Sequence, residues 1–294
     1  MLIHHQSPPA DPSRVVVLGA RGFIGRALVD ALERDGITVL GFGRAELDLA
    51  ADNAGDRLAG LLKPDDAVVM LAAVTPDKGK GIAPFLANIR AAASLCAALA
   101  KITPRHVIYF NSDAVYPMNA GLVNEDSCTR PSDLYGMMHL AREAMIEAAT
   151  TAPVALLRPT LVYGAADTHN SYGPNRFRRM AHEDGKIVLF GNGKEMRDHI
   201  AVDDVIALAI LVLRHRSAGV LNVATGWSIS FADLAEKVAA LFDKPIEIVR
   251  TPGQSPITHR HFDIAALRKA FPEFTLTSLD RGLADAHHKM LGQE

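Results

Sequence analysis

Residues 14–36 read RVVVLGARGFIGRALVDALERDG. The first five, Arg14 to Leu18, form a β-branched run without alternation, the pattern of a strand buried on both faces of a sheet. Gly19, Gly22 and Gly25 follow at once. Ile24, Ala27, Leu28, Ala31 and Leu32 then recur at helical spacing until Gly36 ends the helix. Glycines alone would serve any tight strand-to-helix turn. A buried strand before them and an amphipathic helix after them point further, to backbone N–H groups brought close to a pyrophosphate at a helix N-terminus. The spacing is G-x-x-G-x-x-G rather than the commoner G-x-G-x-x-G, and no Gly-Lys-Ser/Thr follows to suggest a triphosphate loop.

Outward from this unit the pattern repeats. Strands are expected at 38–42, 66–71, 106–110 and 154–157, with helices at 85–100 and at 133–149, the latter capped by Ser132. Strands alternating with helices imply right-handed crossovers and an α/β fold, a Rossmann-type doubly wound parallel sheet. After Pro159 the texture changes to Gly, Asn, Arg and His, with strands expected at 187–190, 220–223 and 245–249. Helices are expected there at 203–214 and 231–242, and near Ala265 and Leu279. These later segments are too small for a separate core. The expected organisation is a loose N-terminal extension (1–13), a dinucleotide-binding domain (14–163) and a smaller α/β substrate-binding region (164–294) interleaved with it.

Composition narrows the class. The formal net charge of the 294 residues is −2, so no overall basic field points to nucleic acid or an acidic membrane. The longest uninterrupted apolar stretch, Val205 to Leu213, is far short of the roughly 20 residues a membrane helix requires. The opening MLIHHQSPPADPSR lacks the pattern of a signal peptide, and Cys96 and Cys128 are too few for a disulfide framework. A cytoplasmic protein is expected.

The second strand ends Gly41-Phe42-Gly43-Arg44. An acid here would hydrogen-bond the 2′-hydroxyl of NAD, whereas an arginine accommodates the 2′-phosphate of NADP. Gly43 offers no carboxylate and Arg44 offers a cation, so NADP is expected, with NAD still possible. Tyr135 and His139, four apart on a helix, share a face, and Ser112 lies just past a strand's C-terminal end, where open parallel sheets place their sites. A tyrosine passes a proton to a carbonyl or alcohol at neutral pH only if a nearby cation lowers its pKa from about 10. The same spacing also suits a half-buried tyrosine and a surface histidine. The histidines of His4-His5, His259-x-His261 and His287-His288 have no Cys or carboxylate at ligand spacing, so no metal site is expected. Thr75 to Gly81 (TPDKGKG) reads as an exposed loop or as a flap whose Lys78 and Lys80 meet phosphate.

Over nearly the whole chain these residues resemble the extended short-chain dehydrogenases/reductases, the epimerase/dehydratase group that acts on nucleotide sugars. Gly19 to Gly25 (GARGFIG) matches the glycine motif, Leu71-Ala72-Ala73 the strand end along the cofactor, and Asn88 the usual helix asparagine. The FNSDAVY segment of residues 110–116 resembles the stretch carrying the catalytic Ser/Thr. LRPTLVYG (157–164), Gly191-Asn-Gly193 and RDHIAVDD (197–204) resemble later motifs. The resemblance implies cofactor contacts from Gly19, Arg21, Gly22, Phe23, Ile24, Gly25, Arg44, Leu71, Ala72, Ala73, Asn88, Tyr135, His139 and Pro159. It implies catalytic roles for Ser112, Tyr135 and His139, and substrate contacts from Ser112, Asp113, Asn175 and Arg197, the arginine on a diphosphate. It also implies a homodimer paired through the helices at 85–100 and 133–149.

One departure stands out. The family helix reads Tyr-x-x-x-Lys, and here it reads Tyr135-Gly-Met-Met-His139. The lysine normally holds the nicotinamide ribose and depresses the tyrosine pKa, whereas a histidine is mostly uncharged at neutral pH. The expected function is an NAD(P)-dependent epimerase or ketoreductase of a nucleotide-linked sugar. Arg44 to Leu49 (RAELDL) resembles the ketoreductases, and Ala114 in place of a glutamate disfavours a dehydratase. The alternatives are a catalytically weak or inactive NADP-binding sensor or scaffold, or a nucleotide-sugar dehydratase.

Overall fold

The computed structural model describes residues 1–170, 172–253 and 256–292. A two-residue strand, β1 (Ile3–His4), precedes β2 (Arg14–Leu18), α1 (Phe23–Arg34), β3 (Val39–Phe42), α2 (Ala54–Ala59) and β4 (Asp66–Met70). α3 (Ile82–Leu99), β5 (His106–Phe110), β6 (Gly121–Val123), α4 (Leu134–Ala149) and β7 (Val154–Pro159) follow. Beyond them come β8 (Leu161–Tyr163), α5 (Pro174–Asp184), β9 (Lys186–Phe190), β10 (Met196–Ala201), α6 (Val202–Arg214) and β11 (Ser217–Val223). The last elements are β12 (Ser228–Ser230), α7 (Phe231–Ala239), β13 (Glu247–Thr251), β14 (Arg260–Phe262), α8 (Ala265–Ala270) and α9 (Leu279–Leu291).

Seven strands form one sheet in the order β1-β11-β7-β5-β4-β2-β3, parallel except for β1. The apolar run of β2 explains why both faces are covered. Val15 and Val17 join a core with Leu28 and Leu32 of α1 and with Val205 and Leu208 of α6. Val16 and Leu18, pointing the other way, meet Leu58 of α2, Leu95 of α3 and Ile146 of α4. β3 lies on one side of β2 and β4 on the other. The chain therefore reverses direction across the sheet here and leaves a crevice at the strands' C-terminal ends. β11 completes the sheet from the later half of the chain. β8, β10 and β12 form a separate small sheet, and β9–β13 and β6–β14 form pairs.

Several local readings change. The expected loose extension is pinned: β1 pairs antiparallel with β11, and His4 bonds the Ser217 hydroxyl at 2.8 Å and the Ala270 carbonyl at 3.0 Å. α3 starts at Ile82 because Pro84 falls in its first turn, where a missing N–H costs nothing. The cap of α4 is Asp133 rather than Ser132, its carboxylate accepting the Gly136 N–H at 2.8 Å. α3 is also long and apolar enough, by length and composition alone, to cross a membrane. Its Ala91, Ala92, Leu95 and Leu99 are buried within this fold.

Two glycines in the first turn have steric reasons. Gly19 adopts φ +98°, and a Cβ there would lie 2.6 Å from the Ala72 backbone nitrogen. A Cβ on Gly25 would fall on the Gly19 carbonyl. Gly25→Ala should therefore force the helix off the strand and destabilise the protein by about 1–3 kcal/mol. A urea unfolding midpoint equal to that of the parent protein would contradict this packing.

Candidate functional site

The first wall of the crevice is the glycine loop. Gly22 caps α1 without a side-chain bond, and the first helical turn carries no acidic residue. The amides of Phe23 and Ile24 thus face the crevice end with the helix dipole behind them, a setting suited to an anion. Opposite, the Leu71 N–H bonds the Leu18 carbonyl at 2.8 Å and continues β4 alongside β2. Asn88, 3% exposed, then clamps the strand end, accepting the Val74 N–H at 2.7 Å and donating to the Val74 carbonyl at 3.0 Å. Leu71 is thus held by strand pairing and Val74 by the Asn88 clamp, with Ala72 and Ala73 between them.

At the end of β3 the expected absence of a carboxylate holds for position 43 and fails for the space around it. Glu46 folds back, accepts the Gly43 N–H at 2.9 Å and pairs with Arg21 at 3.0 Å. That pairing holds the Glu46 carboxyl below its usual pKa. A side chain on Gly43 would meet the Glu46 carboxylate at 2.8 Å, so Glu46 occupies the place an acid at 43 would take. Arg44 pairs with Asp48 at 3.2 Å and is otherwise exposed.

The second wall is α4. Tyr135, His139, Arg142 and Glu143 lie on its inner face, at offsets of four, seven and eight residues from the tyrosine. The Tyr135 phenol faces Ser112, and burial, reinforced by the Asp113 charge, pushes it up to about 12. The ring edge of His139 packs against Tyr135 with centroids 4.6 Å apart. His139 is 2% exposed, and burial with the neighbouring Arg142 charge pushes its pKa well below the usual 6.5. Its Nδ1 lies 2.6 Å from the hydroxyl of Tyr109 on β5. Burial raises the Tyr109 pKa, so that phenol keeps its proton, and we assign it as the donor to Nδ1, its hydrogen-bond partner. The imidazole hydrogen then sits on Nε2, which is buried and has no protein partner. An orphaned donor beside the tyrosine fits a cofactor ribose hydroxyl.

A buried network fixes Ser112. Glu143 pairs with Arg158 of β7 at 2.7 Å, both side chains 6% exposed, and also accepts from the Asn111 amide. Asn111 Oδ1 in turn accepts the Ser112 N–H at 2.6 Å. Arg158 also donates to the Tyr116 hydroxyl at 2.8 Å. Pro159, next along β7, stays in register with Val223. Among the expected substrate residues, Asp113 pairs with Arg260 of β14 at 2.8 Å. Arg197 donates to the Thr258 carbonyl and hydroxyl, both at 2.7 Å. Asn175 is 1% exposed and accepts the Gly164 N–H at 3.0 Å, so its side chain holds the turn after β8. The flap segment meets the 167–170 turn through Asp77 and His169, 3.3 Å apart. No group of three or more His, Cys, Asp or Glu is arranged for a metal among the described residues.

Sequence comparison adds the lineage. Residues 15–224 match the model of the NAD dependent epimerase/dehydratase family. The chain belongs to this family. It is 28% identical over 263 residues to the UDP-glucose 4-epimerase of Mycolicibacterium smegmatis, covering 80% of this chain and 84% of that one. It is 32% identical over 124 residues to the dTDP-L-rhamnose 4-epimerase of Burkholderia thailandensis, a match spanning 40% of this chain and 34% of that relative. The structure of MoeE5 in complex with UDP-glucose and NAD superposes with a TM-score of 0.82 at 25% identity, covering 97% and 99% of the two chains.

Glu46, Tyr109, Asn111, Arg158 and Arg260 escaped the sequence reading. The polar arginine inside the apolar run Leu156-Leu157-Arg158-Pro159 was the one visible signal among them. Glu143→Gln should leave the Arg158 guanidinium buried without its charge partner and cost about 3–5 kcal/mol. Replacing both by methionine should cost much less. Urea titrations of the single and double variants check this, and equal losses would contradict it.

Proposed function

We propose that this protein moves a hydride between a nicotinamide dinucleotide and a carbon of a nucleotide-linked sugar, as an epimerase or ketoreductase. The observation that carries the reading is the Tyr135 phenol facing Ser112, with the edge of His139 packed on the same ring. The relatives' names support the substrate class, and the MoeE5 complex contains both kinds of ligand.

In this reading Tyr135 takes the proton of a sugar hydroxyl as it is oxidised and returns one on reduction, while Ser112 orients the oxygen. A nicotinamide dinucleotide held at the glycine loop and by His139 would supply the hydride acceptor and donor. His139 Nε2–H holds the ribose. Arg197, with Arg260 as its neighbour, faces the substrate diphosphate, and Asp113 acts by orienting Arg260. A phenol held near 12 is mostly protonated at neutral pH, so the oxidative rate should rise with pH, about tenfold per unit where tyrosinate limits.

The proposed cofactor is NADP. Arg21 and Arg44 bracket Gly43, and their ion pairs with Glu46 and Asp48 are exposed, so each is worth little and yields to a 2′-phosphate. Arg44→Ala should weaken NADP and spare NAD, as calorimetric titration would read. Tighter NAD binding in the parent protein would instead assign the ribose to Glu46. The proposed compartment is the cytoplasm, where Cys96 and Cys128, both free, stay as thiols.

A thermal-shift screen of NAD, NADP and UDP-, GDP- and dTDP-sugars should pick out one cofactor and one nucleotide, because selective ligands stabilise by mass action. Turnover of the selected sugar should then fall at least a hundredfold in Tyr135→Phe with cofactor affinity kept. Ligand binding without turnover would favour the sensor or scaffold reading.

The proposed assembly is a homodimer through α3 and α4, which lie side by side and expose Ile82, Leu86, Leu134 and Met137. Light scattering at micromolar concentration should give twice the chain mass. A strict monomer would refute it.

A further inference from the structure

We propose that Arg142 is the positioning residue that supplies Tyr135 with a permanent positive charge, leaving His139 as an uncharged donor. The inference rests on the proposed acid/base role of Tyr135 and goes beyond it.

Arg142 is 0% exposed. It sits seven residues after Tyr135, two turns along the same face. Helical side chains lean towards the N-terminus, and this one runs back along the helix to contact the sulfur of Met138 at 3.7 Å. One guanidinium nitrogen donates to the Ala72 carbonyl at the end of β4, 2.9 Å away. The guanidinium carbon lies 5.0 Å from the ring centre of Tyr109, whose hydroxyl holds His139. The charge therefore stands directly behind the Tyr109–His139 layer, facing the strand end that borders the crevice.

No carboxylate neutralises it. The adjacent Glu143 is committed to Arg158 and Asn111, and among the described residues no ion pair involves Arg142. Its Nε is buried without a partner. A buried cation without a counter-ion is costly to a fold, so stability does not explain it. Its field does useful work only on a neighbouring group that becomes an anion.

Tyr135 is that group. Ser112 and Asp113 face it from the segment after β5, and Asp133 from the helix cap. His139 packs on its ring, with Tyr109 behind. Asp113 opposes ionisation but is tied to Arg260. His139 is neutral, which leaves Arg142 as the cation acting on the phenol. A guanidinium carries its charge at every working pH, so the support does not titrate away as an imidazolium's would. At an effective dielectric of about 20, a unit charge one layer of side chains away changes proton affinity on the order of tenfold.

The test places a ring-fluorinated tyrosine, a more acidic phenol, at position 135 in the full chain and follows its titration by fluorine NMR without substrate or cofactor. Arg142→Met should raise that pKa by about one unit, and Arg142→Lys should restore most of the shift. Arg142→Gln keeps a donor for the Ala72 carbonyl and serves if the methionine variant does not fold. No shift in the neutral variants, or an equal shift with His139→Gln, overturns the proposal. Because no sugar is present, this result stands apart from whether the assigned reaction occurs. Where turnover is found, the neutral variants should also lower kcat about tenfold, move the pH profile up by the same unit and leave KM unchanged.

Discussion

The Glu143–Arg158 ion pair joins the helix that bears the site to the sheet that bears the crevice. Glu143 is on the inner face of α4, and Arg158 projects from β7. Without their bond, α4 would keep the Tyr109–His139 and Arg142–Ala72 hydrogen bonds and apolar contacts to set its position. The directional pair fixes the rotation of the helix, and with it the aim of Tyr135 and His139. Through Asn111 the same carboxylate sets the backbone of Ser112, so the two hydroxyls of the site share one anchor. Removing both charges from water is expensive, and the fold compensates with further bonds to Asn111 and Tyr116.

The face of α4 then divides its charges by depth. Glu143 has a cationic partner, Arg142 does not, and His139 between Tyr135 and Arg142 is neutral. A histidine at this position could not carry a charge at neutral pH so close to a guanidinium. Burial and that neighbour act in the same direction on it. What the site retains from His139 is geometry: a ring fixed by Tyr109, with one nitrogen left open.

The sequence made the local features readable. The alternation of Val15 to Leu18 between two cores, the turn at Gly19 and Gly25, and the shared face of Tyr135 and His139 all arise within short windows. The partners that give those residues their chemistry do not. Arg158 meets Glu143 across 15 positions, Tyr109 meets His139 across 30, and Arg260 meets Asp113 across 147. The carboxylate beside Gly43 is hidden for a related reason: Glu46 reaches back over a turn whose shape no residue pattern announces. Among the small strands of the later half, β10 was hidden because it buries Arg197, Asp198 and His199 where hydrophobic residues would normally mark a strand.

The contacts of β1 bear on the order in which the molecule assembles. His4 is held by Ser217 and by the carbonyl of Ala270, and β11 itself must arrive from residues 217–223 before β1 has an edge to pair with. A ribosome therefore has to release roughly 220 residues before that edge of the sheet can close. Until then β7 presents an unpaired side, and contacts so distant along the chain form slowly. The interior strands and their helices are complete well before this last seam, which ties the start of the described chain to residues 217–223 and to Ala270.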